Sequence, residues 1–135
     1  MRAALVVAIA ASVQLGPAAA RAQDAWVGIG AIGGAAMFMD TTSIVRTSSL
    51  RTVWVKSIDP KPRQFLAGGD TLTFDTVVGR NEFDCVHRTR RVLSVQYLLR
   101  DSVVLNVPVT HDEPARVDTR SFFGAIYADL CRPAR

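Results

Sequence analysis

The chain has 135 residues, with 16 Lys or Arg against 12 Asp or Glu, a net charge of +4. Arg2 and Arg21 fall in a predicted export signal, so the working chain carries only +2, which gives no argument for a nucleic-acid partner. The mature remainder has the length of one domain, enough to bury roughly two-thirds of the surface its unfolded chain exposes.

Met1-Arg2 opens the chain, residues 3–13 are almost wholly apolar, and Ala20-Arg21-Ala22 has the small-x-small pattern of a cleavage site. This order predicts a secretory signal peptide over residues 1–22, cleaved after Ala22, and a single domain over residues 23–135. The apolar run is shorter than the about 20 residues a membrane-spanning helix needs. No cysteine stands near the cleavage site, so a lipoprotein signal is not expected. No second long apolar run is present, so no membrane anchor is expected after cleavage, and the destination is the periplasm or the medium.

Trp26-Val27-Gly28-Ile29 reads as a first strand and Met37-Phe38-Met39-Asp40 as a second, with a glycine-rich turn or bulge between. Asp40-Thr41-Thr42-Ser43 predicts a turn and Ile44-Val45-Arg46 a short strand. Residues 50–58 are rich in β-branched and aromatic side chains and predict a strand. It places Val53 and Val55 on one face and Leu50, Trp54 and Ile58 on the other, the pattern of a central strand covered on both sides. Asp59-Pro60-Lys61-Pro62-Arg63 predicts a loop, because proline has no N–H for a ladder.

Gly68-Gly69-Asp70 predicts another turn. Residues 71–78 and 82–88 each alternate, the first with Leu72, Phe74 and Val78 on one face, the second with Phe83 and Cys85 on the buried face. Glu82 and Asp84 are expected on the opposite face, with Arg88 and Arg90. Residues 92–99 place Leu93, Val95, Tyr97 and Leu99 on one face. A tight turn at Arg100-Asp101-Ser102 returns the chain as Val103, Leu105 and Val107. Short turns without intervening helices predict an antiparallel meander of about six strands.

Residues 108–118 read as a polar loop, and Asp118 or Thr119 is expected to cap a helix. Phe122, Phe123, Ile126, Tyr127 and Leu130 recur at helical spacing and give one apolar face, with Cys131 one turn after Tyr127. Gly124 is expected to weaken this helix by roughly 1 kcal/mol relative to Ala, and Pro133 to end it. The fold class is therefore α+β, with the C-terminal helix packed on one face of the sheet.

Cys85 and Cys131 are the only cysteines. In an exported chain they are most simply read as one disulfide joining helix to sheet. The alternative, two free thiols at a redox or metal site, would be favoured by Cys-x-x-Cys spacing, which is absent.

Gly28-Ile29-Gly30-Ala31-Ile32-Gly33 matches a dinucleotide-binding pattern, but the residues after it read as strand rather than helix, and no acidic residue stands about 20 positions on. No cofactor is expected. Cys85-x-His87 with His111 offers metal-binding residue types but too few of them for a zinc site. No catalytic constellation is legible, and no metal is expected. Arg88, Arg90 and Arg91 form a local basic cluster suited to an acidic protein or glycan partner; the plainer reading is a solvated arginine-rich strand edge.

Taken in order, Trp26-Val27-Gly28, Phe38-Met39-Asp40, Ser43-Ile44-Val45-Arg46, Val53-Trp54-Val55-Lys56, Glu82-Phe83-Asp84-Cys85 with residues 88–91, Tyr97 and a last Cys131 resemble the surface-adhesin protein E-like domain of Gram-negative bacteria. The resemblance covers nearly all of the chain after the signal. It implies a curved antiparallel sheet with one helix held by a helix-to-strand disulfide. It also implies a non-enzymatic binding module for extracellular-matrix or other envelope proteins, and a homodimer through a self-paired edge strand. The alternative function is a soluble periplasmic protein with a structural or envelope-related role and no adhesive activity.

Overall fold

The structure, a computed structural model, describes residues 26–133. The predicted signal peptide and its cleavage point after Ala22 lie outside the described residues. Strands β1 (Trp26–Ile32), β2 (Ala35–Thr47), β3 (Leu50–Ala67), β4 (Asp70–Asp84), β5 (Thr89–Leu99) and β6 (Ser102–Pro108) lie in the sheet in chain order. Every neighbouring pair is antiparallel. The two-residue β7 (Ala115–Arg116) extends the outer edge of β5, and one helix, α1 (Phe122–Leu130), comes after it. This is the six-stranded meander with a C-terminal helix expected from the sequence, and the sheet does not close into a barrel.

Local chemistry sets the connections. Gly33-Gly34 and Gly68-Gly69 both have positive φ at both positions, the conformation whose twist matches a two-residue hairpin. Each of the five main strand pairs carries a register break, which bends and twists a sheet.

Three sequence expectations are corrected by the way the strands pair. The turn expected at Asp40-Thr41-Thr42-Ser43 is a bulge inside β2, where Asp40 Oδ1 accepts from the Thr42 amide and hydroxyl at 2.9 and 2.6 Å. The strand survives because the Ser43 hydroxyl accepts from the Trp54 amide across the gap at 3.0 Å. The proline segment between Ile58 and Arg63 is likewise an unpaired bulge within β3 rather than a loop between elements. Residues 71–78 and 82–84 are one continuous strand, and Cys85 lies just past its end, in the turn of residues 85–88.

The helix packs over Met37, Met39, Val53, Val55 and Phe83 with Ile126 and Leu130. Phe83 and Val53 are the most deeply buried large side chains, at 0% and 1% exposure. Val53 and Val55 do share one face, but α1 covers only that face. Trp54 stays half-buried and Ile58 is 37% exposed, so β3 is central by pairing and not by two-sided burial.

The helix start also differs from expectation. Ser121 is the N-cap, its hydroxyl accepting from the Gly124 amide at 3.1 Å, while Asp118 caps the preceding turn by accepting from the Arg120 amide at 2.9 Å.

Candidate binding surface

The register lays out the helix-free face of the sheet in rows. Trp26, Asp40, Trp54, Arg80 and Ser94 pair across β1 to β5, and Phe38, Lys56, Val78 and Gln96 form the next row. Ile58, Thr76, Leu98 and Val103 form a third. Side chains of directly paired residues stand on the same side of a sheet, and the helix core uses the alternate residues of the same strands.

On this face the Lys56 ammonium lies 4.2 Å from the centre of the Trp26 ring and 5.4 Å from that of Phe38. Trp26, Phe38 and Trp54 are each half-buried, and Val103 is 54% exposed. The result is a broad surface that combines aromatic area with fixed cations. Sequence pattern alone credits Trp54 to burial, because an apolar side chain on each face reads the same whether or not a second layer exists.

The three predicted contact arginines do not form one cluster. Arg91 pairs with Glu82 on the helix-free face, its Nε donating to Glu82 Oε1 at 2.6 Å. Arg88 stands exposed in the turn, with φ of 55°. Arg90 pairs with Phe83 and so turns to the helix side, away from the face it was expected to share with Glu82 and Asp84. There its Nε donates to Asn81 Oδ1 at 2.9 Å and its guanidinium carbon lies 3.5 Å from the Phe123 ring centre. Burial pushes the Arg90 pKa below its ordinary value, against a smaller upward pull from Asp112.

The turn of residues 85–88 ties the sheet to the helix. Cys85 and Cys131 are joined in a disulfide, and Tyr127 Oη donates to the Cys85 carbonyl at 2.9 Å. His87 serves this turn: its Nδ1 lies 2.7 Å from Asp84 Oδ2, and Asp84 Oδ1 accepts from the Val86 and His87 amides. The His87 side chain and these amides lower the Asp84 pKa to about 2. Among the described residues no group of three or more His, Cys, Asp or Glu is placed to hold a metal. The GxGxxG stretch runs along β1 into the β1–β2 turn, with a bulge at Gly28–Gly30.

Between α1 and the sheet lies a cavity of about 150 Å³, with Met37, Val55, Val77, Val92 and Val95 on its apolar side, Gly79 and Asn81 on β4, and Arg90 beside Phe123. Neither histidine lines it.

Among the described residues no helix is long and apolar enough to cross a membrane. The family described as Surface-adhesin protein E has a model that matches residues 26–132. A search of the curated proteins finds no match.

Proposed function

This chain belongs to the surface-adhesin protein E family, and on that premise we propose that it is an exported, non-enzymatic module that binds a protein partner of the extracellular-matrix type. The contact surface is the helix-free sheet face. The observation that carries this reading is the grouping of Trp26 and Phe38 around Lys56, with Trp54 two residues along the same strand, on the sheet face opposite α1. Aromatic side chains and arginine dominate the energetics of protein interfaces, and a mixed aromatic and basic face is the chemistry such an interface uses. Arg80 adds positive charge to this face, Arg91 there is neutralised by its pair with Glu82, and Arg88 stands at the turn beside it.

The test is saturable binding of the purified domain to a panel of extracellular-matrix proteins, with Trp54→Ala as the variant. Loss of roughly tenfold or more in affinity at unchanged melting temperature supports the surface. Binding to no member of the panel overturns the adhesive reading. A homodimer is part of the proposal, because β1 and β6 end the sheet and an unpaired strand edge is a template for another strand. A monomer in sedimentation equilibrium at micromolar concentration would overturn that part.

A further inference from the structure

The cavity under the helix has features that a structural void does not require. Its floor is open at Gly79, yet the backbone there does not demand glycine. Gly79 is not among the positive-φ residues, and a Cβ would meet only Asn81 Nδ2 at 3.5 Å and the Ser94 carbonyl at 3.9 Å, ordinary contacts. A valine at this strand position would suit the sheet and fill the space.

Arg90 stands at the same cavity. Its Nε is committed to Asn81, itself 2% exposed and anchored by donating to the Gly79 carbonyl at 3.0 Å. The contact with the Phe123 ring, 3.5 Å from the guanidinium carbon, holds the group in place. Its two terminal nitrogens make no hydrogen bond and no ion pair among the described residues. Asp112 pulls on it through space only, its Oδ2 accepting from the Val92 amide at 2.6 Å. A positioned, partly desolvated guanidinium with two unshared N–H₂ groups beside an apolar hollow is a carboxylate receptor, because the planar fork matches a carboxylate's two oxygens.

We propose that this cavity binds a small monocarboxylate whose apolar body, about the size of a benzene ring, lies against Val55, Val77, Val92 and Val95 while its carboxylate meets the terminal nitrogens of Arg90. The size follows from the volume. An apolar space of about 150 Å³ is enough for benzene, and the hollow here, open to solvent and edged by Ser57, Asn81 and Arg90, offers about 150 Å³. The site lies on the opposite side of the sheet from the aromatic face, so its occupancy is independent of the protein-binding reading.

Amide chemical shifts of the oxidised domain, titrated with benzoate and hexanoate, test this. The neutral analogues benzamide and hexan-1-ol serve as controls. The expected result is saturable shifts confined to Gly79, Asn81, Val92, Val95 and Phe123, with the carboxylates bound about tenfold more tightly than the neutral analogues. Arg90→Gln should remove that preference, and Gly79→Val should abolish binding while the spectrum elsewhere is unchanged. Gly79→Val leaves Arg90 and its partners in place, so it decides the matter if Arg90→Gln fails to fold. No saturable shifts at these amides, equal binding of charged and neutral probes, or undiminished binding by Gly79→Val overturns the proposal.

Discussion

Gly124→Ala sets a helix's own preference against its packing. By propensity alone the change should stabilise α1 by about 1 kcal/mol, because glycine loses more backbone freedom than alanine. In the fold, a Cβ on Gly124 would collide with the Asp118 carbonyl oxygen and stand 2.7 Å from the Thr119 carbonyl. Relief requires a shift of about 1 Å to reach an ordinary contact distance. The loop resists it. The Asp118 carbonyl accepts from the Ser121 amide at 3.0 Å and the Ser121 hydroxyl at 2.7 Å, and the Val117 amide donates to the Arg88 carbonyl at 2.9 Å. Overpacking costs roughly 1–3 kcal/mol, and loosening the Ser121 cap about 1 kcal/mol more. Net of the propensity gain, Gly124→Ala should destabilise by about 1–3 kcal/mol. Equilibrium urea unfolding with the disulfide intact measures it. Ala125→Gly, at an exposed position in the same turn, serves as control and should cost about 1 kcal/mol. A Gly124→Ala protein as stable as the parent would refute the close approach of loop and helix.

Reducing the Cys85–Cys131 bond, which closes a separation of 46 residues, should cost about 4 kcal/mol by the loop-entropy relation. An unchanged melting temperature in reductant contradicts this. Phe83→Ala, at 0% exposure, should cost about 3–5 kcal/mol in urea unfolding, and a loss near zero would mean that α1 does not pack over it. Asp84 has a folded pKa of about 2, below its ordinary 3.8. Its charged form therefore stabilises the fold above about pH 4, and that contribution disappears as pH falls through about 2. Asp84→Asn should melt lower than the parent at neutral pH, with the gap closing over that acid window. Parallel melting profiles at all pH values would exclude the Asp84–His87 turn as a stabilising feature.

The order of strands, the hairpin turns and the apolar face of α1 were legible because each rests on local residue chemistry. Paired glycines at residues 33–34 and 68–69 allow the backbone that a two-residue turn needs. The same local signals misled wherever a partner strand decided the outcome. Asp40 does form the side-chain turn its sequence announces, but Ser43 bridges to Trp54 and the strand runs on. Pro60 and Pro62 do lack ladder partners, but Arg63 rejoins Phe74 beyond them. Asp118 and Ser121 are equivalent cap candidates by residue type. The fold selects Ser121 because the turn of residues 118–121 points its hydroxyl at the Gly124 amide.

Arg90 was legible as a basic residue and illegible as a site. Residues 88–91 read as one cluster because they are adjacent, yet alternation along a strand sends neighbours to opposite faces. Which face is buried is set by pairing: Phe83 faces Arg90, and Glu82 faces Arg91. A second effect hides the cavity. Alternation from Leu93 onward places Val95 opposite Val92, but the register slips between Arg80 and Asn81, so that Arg80 pairs with Ser94 and Asn81 with Val92. Val92 and Val95, three residues apart, then line the same hollow. A one-residue slip of this kind turns every later side chain to the other face, and nothing in β5 alone signals it. In this sequence the hollow, its glycine floor and its arginine come together only through that slip; deleting the extra residue Leu93 would leave Val92 two positions before Val95, so a regular ladder should still place Arg90, Val92 and Val95 on one face and keep the site.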